Sequence, residues 1–220
     1  NSDDLIMYLT IGKTFRNVLL ETYKGNRQSK RSDNVKLLKN YLIEKYNTIY
    51  EEGLEADDLV MDKYREDMNK YTICSIDKDI LKNIEGRHLN LYNYEFKTIT
   101  KEEAFDNLHI QTIIGDPTDN IPSLMKGIGR AKLKVLKNLT NLSYEEISKY
   151  ICHKKEMNYT TRFRLLYCGR SEDIKLIENE IEYNEIIDSY IETGKYIVEK
   201  TEKTKLKNKV KIQKSTNKYT

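Results

Sequence analysis

Apolar residues fall in short runs separated by Gly, Asn and Ser, and their spacing shifts from strand-like to helical along the chain. Residues 5–11 (LIMYLTI) form an apolar, partly β-branched run stopped by Gly12, which predicts a buried strand. Residues 35–50 carry apolar side chains near helical spacing and predict a helix docked on a sheet, with Gly53 as its stop. A second helix begins in GLEADDLVMDKYRED, residues 53–67. Residues 71–76 (YTICSI) predict another buried strand, and residues 88–94 (HLNLYNY) alternate weakly, as a strand or one leg of a hairpin does. Residues 101–114 predict a helix. Helical spacing then recurs at 130–139, 144–150, 160–167 and 174–191 with polar breaks between, which predicts a packed helical bundle.

Composition narrows the classes without naming one. At 220 residues the chain suffices for one large domain or two small ones. With 33% charged and 38% hydrophobic residues, and no run near the roughly eighteen apolar residues of a membrane span, a soluble intracellular protein is expected. Cys74, Cys152 and Cys168 are odd in number and lack CxxC spacing, which argues against a disulfide framework or a zinc knuckle. His88, His109 and His153 have no partners at ligand spacing. Net charge is only +3, but acids and bases are segregated, which suits a polyanion held against metal ions. Residues 13–39 hold eight basic residues and two acids with Phe15 and Tyr23 among them, a mixture that suits single-stranded nucleic acid or a solvated loop. Residues 199–220 carry eight lysines and predict a loosely held basic tail.

One stretch joins these features: residues 115–137, GDPTDNIPSLMKGIGRAKLKVLK. Asp116 and Asp119 are three apart, so on a helical turn their carboxylates share one side and can share a cation. Gly127 and Gly129 flank a tight turn whose N–H groups can approach a phosphate, and a helix starts directly after it. Lys126, Arg130, Lys132, Lys134 and Lys137 surround the turn with no acid among them, while Ile128, Leu133 and Leu136 supply a buried face. Taken singly, each feature is more often a loop or a cap. Their order and density outline a clamp for a nucleic-acid backbone.

Further acids fall at Glu55, Asp57 and Asp58, and at Asp77 and Asp79. The first group opens a helix, where acids complement the macrodipole without any metal, although three exceed what capping needs. Glu55 and Asp58 share a face and Asp57 points off it. Asp77 and Asp79 follow a strand and leave it on one face if the chain stays extended, beyond the carboxyl end where open α/β sheets bind ligands. Seven carboxylates converging at one edge require divalent cations, and hard oxygen ligands select Mg²⁺ or Mn²⁺. Two such ions suit in-line hydrolysis of a phosphodiester.

GKTFR (12–16), YKGNR (23–27), GLEADD (53–58), SIDKD (75–79) and IGDPTDNIPSLMKGIGRAK (114–132) closely resemble, in order and spacing, the 5′-nuclease family. That family includes the 5′-nuclease domain of bacterial DNA polymerase I and phage 5′→3′ exonucleases. The resemblance implies an α/β, PIN-like domain with a central, mainly parallel sheet over residues 1–114, its N-terminal strand apparently missing and a helical arch near 24–36. It implies a helix-three-turn-helix and helical bundle over 115–198, with K⁺ near the GIG turn, and the basic tail at 199–220. Glu55, Asp57 and Asp58 match first-metal ligands, and Asp77, Asp79, Asp116 and Asp119 match those of the second. Lys24 matches a lysine near the scissile phosphate, with Lys13 and Arg16 beside it as catalytic positions. Tyr23, Arg27, Lys126, Gly127, Gly129, Arg130 and Lys132 match DNA-binding positions. Leu9 and Thr10 stand where the family carries a further aspartate.

The expected function is therefore a Mg²⁺-dependent, structure-specific 5′ nuclease acting on DNA flaps, nicks or RNA primers, as a cytoplasmic monomer in a bacterial or phage-infected cell, beside a DNA polymerase. An RNA–DNA hybrid fits the same substrate class. The rival is a catalytically impaired homologue that still binds branched DNA. A phosphatase using Asp77 and Asp79 is a distant third, since it leaves the GIG helix unexplained.

Overall fold

Two short β ladders carry the N-terminal half, and a set of helices carries the rest. The computed structural model describes residues 5–27, 32–46, 48–170 and 184–194. Strand β1 (Met7–Tyr8) leads through α1 (Phe15–Leu19) and α2 (Asp33–Lys45) to β2 (Thr48–Ile49), which lies parallel to it with Met7 opposite Thr48. Helix α3 (Ala56–Glu66) connects β2 to β3 (Ile73–Ser75); after α4 (Ile80–Asn83) comes β4 (Gly86–Asn90), parallel to β3, and then β5 (Glu95–Ile99), antiparallel to β4. Helices α5 (Lys101–Ile114), α6 (Arg130–Thr140), α7 (Tyr144–Lys154), α8 (Tyr159–Leu166) and α9 (Glu185–Thr193) follow. Among the described residues no helix is long and apolar enough to cross a membrane.

Helix α5 is the spine of the helical half. Its start is fixed by a reciprocal cap in which the Glu103 N–H donates to Thr100 Oγ1 at 3.1 Å and the Thr100 N–H donates to Glu103 Oε2 at 2.9 Å. It buries residues on more than one side: Ile110 and Ile113 pack with Leu133, Leu136, Ile147, Ile151 and Ile187, whereas Leu108 packs with Tyr23, Ile121 and Phe163. Its residues 108–113 are buried at every position, whereas Lys101, Glu102 and Glu103 of its first turn are exposed. Its end is fixed by Gly115 at φ 75°, where an added Cβ would stand 2.4 Å from the Ile121 carbonyl oxygen, so no other side chain fits without moving the backbone.

A third cluster joins Met61 and Tyr64 of α3 to Ile73 of β3, Ile80 of α4 and Cys168. It is tied to the helical half by a buried ion pair. Arg16 donates to both oxygens of Asp58 at 2.8 and 2.7 Å, and to the carbonyls of Leu165 and Tyr167. Asp58 in turn accepts from the N–H groups of Glu55 and Gly169, both at 2.9 Å, and its side chain is 0% exposed.

Several expected elements differ in the structure. The strand expected over 5–11 is confined to Met7–Tyr8, and Cys74 and Ile76 of the 71–76 run are exposed. Helix α2 ends at Lys45 because the chain must turn to place Thr48 beside Met7, and none of its residues is buried, so it does not dock as expected. The strands form two separate ladders instead of one sheet. Helix α9 lies within the expected 174–191 helix; residues 171–183, and the basic tail, lie outside the described residues.

Removing either partner of the Arg16–Asp58 pair strands a charge in the interior, so Arg16→Met is expected to destabilise the protein by roughly 3–5 kcal/mol in urea denaturation. A pH effect follows from His109, whose pKa burial lowers to about 4. Between pH 6.5 and 4 the unfolded chain takes up a proton that folded His109 refuses, so stability falls with pH by roughly 3 kcal/mol and levels off below that window. Asp57 and Asp79 are raised to about 6 and act with the opposite sign in the same window. The check is therefore a difference: the stability of the unaltered chain minus that of His109→Gln is expected to fall by roughly 3 kcal/mol between pH 6.5 and 4, whatever the sign of the net change in either.

Candidate active site

The acids collect around the start of α3, the end of β3 and the loop after α5. Glu55 sits at the N-terminal boundary of α3, Asp57 and Asp58 in its first turn. Asp77 follows β3 and Asp79 precedes α4; Asp116 and Asp119 belong to the tight loop in which the N–H groups and carbonyls of Asp116 and Ile121 bond each other. Local chemistry, not regular secondary structure, aims the last four. The Asp79 N–H donates to Asp77 Oδ1 at 2.8 Å, so the chain turns there and does not stay extended as expected. The Thr118 N–H likewise donates to Asp116 Oδ1 at 2.8 Å, so Asp116 and Asp119 stand on a turn rather than a helix and face different partners.

The seven acids divide into two kinds. Three have internal cations. Asp58 is enclosed by Arg16 and two backbone donors. Glu55 accepts from Lys24 Nζ at 2.6 Å, and Asp119 from Arg27 at 2.8 Å, with Lys24 Nζ at 3.7 Å. Tyr23 is buried and sends its hydroxyl towards Asp119 at 2.8 Å and Glu55 at 3.1 Å, linking the two. The other four, Asp57, Asp77, Asp79 and Asp116, have no ion pair among the described residues. Burial raises the Asp57 pKa to about 6, reinforced by Asp77 and Glu55. Asp79 is also raised to about 6, by burial first and then by Asp116 and Asp77, although a hydrogen bond from Gln111 opposes this.

A shared donor, Gln111, stands between Asp79 and Asp116, and the charge of Asp77 adds to the rise of both Asp57 and Asp79. Among the described residues, however, no three His, Cys, Asp or Glu side chains stand close enough to enclose one metal ion. The donors themselves suit a hard divalent cation, since all are carboxylate oxygens that repel each other and lack a neutralising partner.

Gln111 is a member of the site that sequence reasoning missed. Its Nε2 donates to Asp79 at 2.9 Å and to Asp116 at 3.3 Å, while Asn83 donates to its Oε1 at 2.6 Å. A single Gln in a mostly buried helix offers no sequence signal for that role.

The expected basic positions are dispersed. Arg16 is interior, 3% exposed, and all its contacts are structural. Lys13, Arg27, Lys126, Gly127, Arg130 and Lys132 are exposed. Gly127 has φ 70°, Lys132 Nζ donates to its carbonyl at 2.8 Å, and Gly129 precedes α6 directly. Arg130 reaches Asn107 at 2.6 Å. Leu9 and Thr10 end the β1 segment next to the acids, where Thr10 Oγ1 accepts from the Ala56 N–H at 2.9 Å.

No family model matches the chain. Two curated relatives do, both named 5′-3′ exonuclease, from Buchnera aphidicola of Acyrthosiphon pisum and of Schizaphis graminum. The first is 30% identical over 170 residues, covering 66% of this chain and 57% of the relative; the second is 27% identical over 166 residues, covering 66% and 56%. The chain therefore spans a little over half the length of these relatives. Among solved structures, the bacteriophage T5 D15 flap endonuclease in a pseudo-enzyme-product complex with DNA and metal ions matches with TM-score 0.52 at 20% identity, over 73% of this chain and 71% of that one. The T5 D15 protein co-crystallised with metal ions matches with TM-score 0.53, also at 20% identity, over 73% of each chain. At such identity these likenesses establish the fold. Five ordered motifs, two exonuclease relatives and that shared fold together support a 5′-nuclease family for this chain.

Proposed function

We propose that this chain is a structure-specific 5′ nuclease that hydrolyses DNA phosphodiesters at flaps, nicks or RNA primers with divalent metal, Mg²⁺ or Mn²⁺. The observation that carries the proposal is that Asp57, Asp77, Asp79 and Asp116 have no ion pair among the described residues, while Gln111 donates to both Asp79 and Asp116 and burial raises Asp57 and Asp79 to about 6. Folding such a set costs free energy unless something positive completes it. Two hard cations held there would supply an activated water and stabilise the leaving oxygen.

The chain's own residues then have distinct tasks. Asp57, Asp77, Asp79 and Asp116 hold the metal, and Gln111 orients two of them. Asp58 keeps the first turn of α3 in place through Arg16. Lys24 rests on Glu55 at 2.6 Å, and an arriving phosphate would compete for its ammonium. Arg27 and Asp119 respond in the same way. The Gly127 turn and α6, with Lys126, Arg130 and Lys132, act as the duplex grip of a helix-three-turn-helix, and the turn would be the place to hold K⁺. Work beside a polymerase during replication or repair follows from that substrate class. A second reading, a DNA-binding homologue that does not cut, is favoured by one observation: Leu9 and Thr10 bring no carboxylate to the end of β1, where Thr10 instead accepts from the Ala56 N–H.

The test is cleavage of an end-labelled 5′-flap duplex in Mg²⁺ and in Mn²⁺. Cutting near the junction is expected, with Asp57→Asn and Asp79→Asn each slowing it by about 10²-fold or more while flap affinity is kept. Tight binding without cutting in either metal would establish the second reading. Replacing Lys126 and Arg130 together by Gln is expected to weaken binding to any sequence alike and to reduce the salt slope by about 2, measured by anisotropy.

A further inference from the structure

The carboxamide of Gln111 has two ends of nearly equal size and opposite chemistry, an NH₂ that donates and an oxygen that accepts. Which end faces the acids is therefore decided by its neighbours and not by its shape. Gln111 is buried, and its Nε2 donates to Asp79 Oδ1 at 2.9 Å and to Asp116 Oδ2 at 3.3 Å. Both of its N–H bonds are thus spent on carboxylates, which only accept when ionised. Turned over, the same group would aim a third oxygen at the two acids.

The other end of the amide is held by Asn83. This residue closes the single turn of α4, is buried, and donates from Nδ2 to Gln111 Oε1 at 2.6 Å. Asp79 precedes the same turn, and the Asn83 N–H donates to its carbonyl at 2.8 Å. Four residues apart, the two side chains lie on one face, so Asp79 takes the nitrogen of the carboxamide and Asn83 its oxygen. The turn is pinned to α5 a second time by Asn107, whose Nδ2 donates to the Lys82 carbonyl at 3.1 Å, and it is flanked by the buried Ile80 and Ile84. Asn83 therefore has a fixed base from which to hold the amide in one sense. The bridge is also neutral. A cation at the same place would compete with a metal ion for Asp79 and Asp116, whereas an amide joins them and leaves their charge intact.

We propose that Asn83 is a positioning residue for the metal-binding pair Asp79 and Asp116, acting through Gln111: its donation to Oε1 fixes the carboxamide so that Nε2 meets both acids. The inference rests on the reading of Asp79 and Asp116 as metal ligands, and Asn83 itself contributes no ligand. Without its donor, Gln111 Oε1 is buried unpaired, and the side chain can satisfy it only by turning away from the acids. The two carboxylates then lose the group that joins them before a cation arrives.

The test is a cycle of calorimetric Mn²⁺ titrations on the full chain, Asn83→Leu, Gln111→Leu and the double variant, with the Tm of each recorded. Asn83→Leu is expected to weaken Mn²⁺ binding about tenfold and Gln111→Leu by at least as much. In the Gln111→Leu background, Asn83→Leu is expected to change the affinity by less than about twofold, because the residue through which it acts is gone. Asn83→Ala is measured in both backgrounds as well, so that a leucine that does not fit leaves the cycle complete. Unchanged or tighter Mn²⁺ binding in the Asn83 variants would overturn the proposal. So would a loss of the same size in both backgrounds, which is what a purely structural residue gives. If Asp79→Asn binds Mn²⁺ as tightly as the unaltered chain, or the unaltered chain binds none, the metal reading itself fails and the role of Asn83 falls with it.

Discussion

Arg16 and Asp58 form the contact on which the arrangement of the site depends. Asp58 is wholly buried at the first turn of α3, and a carboxylate there is tolerable only because Arg16 meets both oxygens and two backbone N–H groups take the remaining positions. The same guanidinium reaches the carbonyls of Leu165 and Tyr167, so one residue of α1 joins the start of α3 to the end of α8. Burial works against the Arg16 charge, but Asp58 outweighs it and drives the Arg16 pKa up. Asp57 is the neighbour of this fixed point. Its position in the first turn of α3 is set beside a side chain that makes no contact with solvent.

The division of the acids follows from that anchor. Charges with an internal partner, Asp58, Glu55 and Asp119, hold the chain together across α1, α3 and the loop after α5. Charges without one belong to α3, to the turn after β3 and to that loop, and burial, reinforced by neighbouring carboxylates, raises Asp57 and Asp79. Gln111 prevents the second pair from separating by donating to both members from the spine helix.

Much of this was legible where the signal is local. Helix α5 has the predicted bounds because Thr100 and Glu103 cap it and Gly115 ends it, and α6 begins directly after Gly129 as its lysine-rich pattern requires. The family was legible from five short motifs in order. What was not legible depended on distance or on turn chemistry. Nothing near Asp58 announces that its partner lies 42 residues away in Arg16. The extended path assumed for Asp77 and Asp79 failed because the Asp77 side chain captures the Asp79 N–H, and the helical turn assumed for Asp116 and Asp119 failed for the same kind of reason. Apolar spacing in residues 35–50 predicted a docked helix, but a helix can carry that spacing while the surface it would cover is elsewhere or incomplete.

The central claim is that paired acids are structural and unpaired acids bind metal, and the direct measurement is calorimetric titration of Mn²⁺ into the unaltered chain, Asp57→Asn and Asp58→Asn, with the Tm of each recorded alongside. The account predicts that Asp57→Asn loses at least about tenfold in Mn²⁺ affinity without losing stability, whereas Asp58→Asn lowers the Tm and leaves the affinity of the folded fraction nearly unchanged. Loss of Mn²⁺ binding in Asp58→Asn at full stability, with Asp57→Asn binding normally, would contradict it.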